Sequence, residues 1–152
     1  MVEGKSIHKS FGPVDVLKGI DVRIGASEIV SILGASGAGK TTLLQILGSL
    51  DQADQGEVYI NGTGIHQLSE KQLARFRNQH IGFVFQFHQL LPEFSALENC
   101  MLPALIGGEM RKEAEQKAEK LLGFLGLSHR LEHKPAALSG GVRTAALRPR
   151  AH

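Results

Sequence analysis

The stretch that decides the reading is Glu28-Ile29-Val30-Ser31-Ile32-Leu33-Gly34-Ala35-Ser36-Gly37-Ala38-Gly39-Lys40-Thr41-Thr42. Its first six residues are almost continuously apolar, the pattern of a strand buried on both faces. Residues 41–50 then read as a helix. Between them, Gly34 to Thr41 fills every fixed position of G-x-x-x-x-G-K-[ST]. The residue types state the chemistry. Glycines let backbone N–H groups converge on phosphate oxygens. The Lys40 ammonium reaches the outer phosphates as a point charge. The Thr41 hydroxyl is a hard oxygen ligand for Mg²⁺. The helix that follows turns its positive end toward the anion. Residues 34–42 are therefore assigned to a nucleoside triphosphate. Strand, glycine loop and helix in that order predict an α/β fold.

Working outward, residues 6–8, 16–24, 57–60 and 81–86 read as further strands. Residues 69–78 and 110–125 read as helices, the second with one apolar face: Ala114, Ala118, Leu121, Leu122 and Leu125. Ser69 with Gln72, and Ser95 with Glu98, have the spacing of capping boxes, and Gly126 stands where a C-cap belongs. Phe83, Phe85 and Phe87 alternate, which puts them on one sheet face. The predicted organisation is a β-rich phosphate-loop core over 1–86, a helical part over 87–137, a short glycine motif at 138–141 and a tail over 142–152.

Composition excludes several classes. The 152 residues are 42% hydrophobic and 21% charged, an ordinary globular balance. Seventeen basic against fifteen acidic residues give +2, too even to predict a nucleic-acid partner from bulk charge. No apolar run approaches the ~18 residues that span a bilayer. The single cysteine, Cys100, has no internal disulfide partner, so a reducing compartment is expected, and it reads as a packing residue beside Leu97 and Ala104. The seven histidines are scattered; His129 and His133 share no further ligand pattern.

Three more features narrow the class: Phe11 in Lys9-Ser10-Phe11-Gly12, Gln86 at the end of the last predicted strand, and Leu138-Ser139-Gly140-Gly141. In this order with the phosphate loop, the chain resembles the ATP-binding subunits of ABC transporters over residues 3–141. The stretch Gln86-Phe87-His88-Gln89-Leu90-Leu91-Pro92-Glu93-Phe94-Ser95-Ala96-Leu97-Glu98-Asn99 further resembles the lipoprotein-releasing group, which belongs with the macrolide-export and FtsE-type ATPases. The resemblance implies a phosphate-loop NTPase of ABC type that uses ATP and Mg²⁺. It assigns Phe11 to stacking on adenine, Gln86 to Mg²⁺ or the attacking water, and Leu138 to Gly141 to the signature that meets a γ-phosphate across a homodimer sandwich. It implies membrane permease subunits as partners and a place on the cytoplasmic face of the cell membrane.

The same resemblance implies acidic chemistry downstream: a Mg²⁺-binding Asp, a catalytic Glu and a switch His. Residues 142–152 hold no acidic residue, so this chain is expected to be catalytically incomplete, with the family's C-terminal half missing. Read from the second base of each codon, back-translated Arg143 to Ala151 permits the family's usual continuation, which predicts a frameshift just after Gly141. Two other readings stay open: a nucleotide-binding fragment without turnover, and an ATPase of a non-transport ABC protein. A core lacking the strands that flank residues 28–33 is expected to expose apolar edges.

Overall fold

Alternating side chains over the first two dozen residues build a hairpin: β1 (Val2–Phe11) pairs antiparallel with β2 (Val14–Ile24) across the two-residue turn Gly12-Pro13, with Phe11 opposite Val14. The computed structural model describes residues 1–85 and 89–137. The expectations placed on Gln86, Phe87, Leu138, Ser139, Gly140, Gly141 and the tail 142–152 lie outside these. Two compact units are present, Met1–Arg77 and Asn78–His152.

In the first unit, β3 (Gln55–Ile60) pairs with the other edge of β1, and β4 (Thr63–Gly64) closes a four-stranded antiparallel sheet of order β2-β1-β3-β4. The β3–β4 turn is Asn61-Gly62, both with positive φ (50° and 81°), the geometry that matches the twist of a two-residue hairpin. β1 carries a register shift between Gly4 and Ile7. Ser6 adopts φ 46° there, and its N–H donates to the Asp21 carboxylate at 2.8 Å, so the bulge strands no donor. Helix α1 (Lys40–Leu47) follows the phosphate loop, and α2 (Glu70–His80) follows a short 3₁₀ turn at Ile65–Gln67. Ile7, Leu17, Val58 and Ile60 of the sheet are buried, as are Leu43, Ile46 and Leu47 of α1.

Two predicted strands do not form. Residues 28–33 and 81–85 have no strand pairing. Ile29 is 96% exposed and Leu33 90% exposed, the reverse of burial on both faces. The cause is pairing. Near-continuous apolarity describes a parallel strand once neighbours flank it, and no described strand lies beside either segment. The sheet that does form is antiparallel and local. Phe83 and Phe85 stack at 5.5 Å between centroids and 14° between planes, without a sheet face beneath them.

The second unit rests on α3 (Ala96–Ile106) and α4 (Arg111–Phe124). The predicted capping box starts α3: Ser95 Oγ accepts from the Glu98 N–H at 3.3 Å, and Glu98 Oε2 accepts from the Ser95 N–H at 2.8 Å. The box at Ser69 is half made, since Gln72 Oε1 accepts both the Ser69 N–H and its hydroxyl. α4 ends in a Schellman motif: Leu127 N–H donates to Leu122 O (2.8 Å), Gly126 N–H to Gly123 O (2.9 Å), and Gly126 has φ 73°. Ala114, Ala118, Leu122 and Leu127 pack with Leu90, Ala96, Leu97 and Met101 in one core, with Cys100 and Ala104 against its side. Burial pushes the Cys100 thiol up to about 11. Lys117 pairs with Glu109 at 2.6 Å.

Candidate functional site

The phosphate loop lies over residues 34–39, with Gly34 through Ala38 exposed. Gly39 is the N-cap of α1 in the left-handed region (φ 80°), and Leu43 N–H donates to its carbonyl at 2.8 Å. A Cβ at position 39 would stand 2.9 Å from Val16 Cγ1 and Leu17 Cδ2 and 3.2 Å from Val16 O. Absence of a side chain therefore seats the loop directly on β2. Gly37 has nearly the same φ (79°) but no atom within 4 Å of its missing Cβ.

The start of α1 is electrostatically free for an anion. No side chain caps it and no acidic residue occupies its first turn. The first-turn N–H groups of a helix have no partner within it and carry the positive end of its dipole. Lys40 bends back, its ammonium donating to Gly34 O at 2.9 Å and Ala35 O at 2.6 Å. The cation is thus held at the mouth of the loop. Thr41 is exposed and Thr42 half-buried on the first turn.

Phe11 ends β1 and is 53% exposed. The register relates it to the loop: Lys9 lies opposite Leu17, the residue on which Gly39 sits, and Phe11 is two residues further along the same strand. Two residues of strand advance ~7 Å.

Around Phe11 is a charged brace that the sequence reading missed. Lys9 Nζ stands 5.5 Å from the Phe11 ring centroid. It donates to Asp51 Oδ1 (3.0 Å) and Gln52 O (2.6 Å) and lies 3.5 Å from Asp54 Oδ1. The Asp51 hydrogen bond holds the Lys9 pKa above its ordinary value. The Ser10 N–H, donating at 2.7 Å, holds Asp54 below the usual carboxylate range. Period-two alternation puts positions 9 and 11 on one face, and that was the available signal. Lys9 also lines an open cleft of about 500 Å³, together with Asp51, Asp54, Glu70 and Arg77 among others. Among the described residues no group of His, Cys, Asp and Glu is arranged to hold a metal ion, and no helix is long and apolar enough to cross a membrane.

A glycine loop seated on a strand, an uncapped helix start and a lysine at its mouth define a phosphate-loop NTPase. The ABC transporter family model matches residues 17–147, and the chain belongs to that family. It is 59% identical over 143 residues to the lipoprotein-releasing system ATP-binding protein LolD of Porphyromonas gingivalis, covering 94% of this chain and 65% of that protein. The LolD of Bacteroides thetaiotaomicron is also 59% identical, with 94% and 66% covered. The chain thus spans about two thirds of the length of these relatives. Among solved structures, an ATP-binding cassette in a post-hydrolysis dimer bound to ADP and Pi superposes with TM-score 0.85 at 38% identity, covering 97% of this chain and 67% of that one. A second dimeric structure of the same cassette gives TM-score 0.87 at 36% identity. The ABC cassette fold expected from sequence is therefore present, although residues 28–33 and 81–85 are unpaired here.

Proposed function

We propose that these residues form the ATP-binding part of an ABC transporter ATP-binding subunit of the lipoprotein-releasing type. Residues 34–42 hold the β- and γ-phosphates, Phe11 stacks on adenine, and Thr41 with Gln86 supplies protein oxygens to Mg²⁺. Leu138, Ser139, Gly140 and Gly141 meet the γ-phosphate held by a second nucleotide-binding subunit. Membrane permease subunits are the further partners, which places the protein on the cytoplasmic face of the membrane. Similarity to the LolD proteins supports the lipoprotein-releasing assignment.

The observation that carries the nucleotide reading is the uncapped start of α1 beside the Lys40 ammonium. Its donors fit a polyphosphate: backbone N–H groups with no side-chain acceptor, and one cation held by two loop carbonyls. Among the described residues the Thr41 hydroxyl would give Mg²⁺ one hard oxygen, and such an ion takes its remaining ligands readily from phosphate oxygens and water. When bound, the ion neutralises phosphate charge. The chain's own part is to orient the triphosphate by the loop N–H groups and to place the Lys40 charge on it. Hydrolysis is assigned to the whole subunit, because the water-activating Glu implied by the resemblance has no match here.

Equilibrium titration with MgATP tests this. Lys40→Ala removes one charge-assisted contact worth ~1.5–3 kcal/mol, so the Kd rises about 10- to 150-fold. An unchanged Kd contradicts the site. Turnover by the unsubstituted chain that vanishes in Lys40→Ala contradicts the assignment of hydrolysis to residues outside it.

A further inference from the structure

We propose that Lys9 is a positioning residue for base recognition: it braces the Phe11 ring against the turn that follows the phosphate-loop helix, so that purine and phosphate subsites keep a fixed spacing. The inference rests on the reading of Phe11 as the adenine platform and adds to it how that platform is held.

Four observations carry it. First, the Lys9 side chain is only 12% exposed, which is rare for lysine and signals that its ammonium is committed. Second, its partners all lie in one turn, Asp51 to Asp54. That turn is locked to β1 on both sides of Lys9: Asp54 N–H donates to His8 O at 2.9 Å, and Ser10 N–H donates to Asp54 Oδ2 at 2.7 Å. Third, the turn continues directly from α1, since Leu50 and Asp51 N–H both donate to Gln45 O. The carboxylates that hold Lys9 therefore lie in the turn just after the helix that starts at the phosphate loop. Fourth, the Lys9 ammonium lies within the ~6 Å range of cation–π attraction from the Phe11 ring.

Phe11 needs such a brace. It sits at the last pair before a two-residue turn and is more than half exposed, so little apolar packing fixes its ring. One ammonium ties this ring to carboxylates in the turn that follows α1. The class of ligand that benefits is a purine nucleoside triphosphate. A bare polyphosphate gains nothing from it.

The experiment compares MgATP with inorganic tripolyphosphate, titrated into the full chain. Loss of the cation–π brace in Lys9→Met raises the ATP Kd about two- to fivefold, and leaves the tripolyphosphate Kd unchanged. Lys9→Arg keeps the cation and restores the ATP to tripolyphosphate ratio. Equal weakening of both ligands, or of neither, overturns the positioning role. Phe11→Ala separates the two layers of the account. If Phe11→Ala shifts the ratio and Lys9→Met does not, the brace fails and the adenine platform stands. If Phe11→Ala leaves the ratio unchanged, the platform falls, and the brace with it. Tripolyphosphate binding also reports that each variant retains a folded loop.

Discussion

Gly39→Ala lowers MgATP affinity by about 30-fold or more, because a methyl group at this position meets two independent penalties. The φ of 80° places an L side chain in the left-handed region, which costs ~1–2 kcal/mol. The added carbon also meets Val16 Cγ1 and Leu17 Cδ2 at 2.9 Å, and overpacking of that kind costs ~1–3 kcal/mol. Either the helix start lifts from β2 or the loop twists. Both deplete the conformation that binds phosphate, and apparent affinity falls with that population. Gly37→Ala is the internal control. Its φ of 79° brings the first penalty, but nothing lies within 4 Å to bring the second. The affinity loss in Gly37→Ala is therefore smaller, and calorimetric titration of the two variants isolates the contact term. Equal losses would mean that the loop is not seated on β2.

Asn99→Leu destabilises the helical unit by about 2–4 kcal/mol, because the partly buried Leu91 N–H and Phe94 O lose their partners at ~1–3 kcal/mol each, while Leu91 O and Ser95 O keep backbone donors. Asn99 lies in the first turn of α3 and is 9% exposed. Its side-chain oxygen accepts the Leu91 N–H at 2.8 Å. Its amide donates toward Leu91 O and Phe94 O at 3.1 Å, and Ser95 O at 2.9 Å. One side chain thus closes the loop 91–95 onto the capped end of α3. Leucine has similar volume and none of these groups. Asn99→Asp serves as a second variant: it keeps the acceptor for Leu91 but turns a negative charge toward three carbonyls, so it is at least as damaging. Urea unfolding followed by helical circular dichroism measures both. A loss below about 1 kcal/mol in Asn99→Leu would show that water or a rearranged loop satisfies these groups.

Asn99 and Lys9 show where the sequence stopped being legible. Asn99 appears only as one letter in a stretch that resembles a family. Nothing in its spacing says that it reaches back to Leu91, because Asn partners are set by the loop's path and not by a period. Lys9 could have been paired with Phe11 through alternation, but its anchors at Asp51 and Asp54 are more than 40 residues away in sequence. Locally encoded features read well. The Ser95–Glu98 box, the Gly126 cap and the apolar stripe of α4 are each fixed by neighbours within five residues. The phosphate loop belongs with them, since its backbone geometry is written in three glycines and a lysine.

The strands at 28–33 and 81–86 mark the opposite limit. Their apolar runs state what a buried parallel strand contains, but not which strand lies beside it, and parallel neighbours are separated by whole crossovers. With Ile29, Leu33 and Val84 exposed, these segments are the chain's clearest liability for edge pairing.

The central claim is that residues 34–42 bind the triphosphate and Phe11 the base, and backbone amide chemical shifts recorded during a MgATP titration test it most directly. The account predicts shifts at Gly37, Gly39, Lys40, Thr41 and Thr42 together with Phe11, all suppressed by Lys40→Ala. Shifts confined to the cleft lined by Asp51, Glu70 and Arg77, or no shifts at saturating nucleotide, would contradict it.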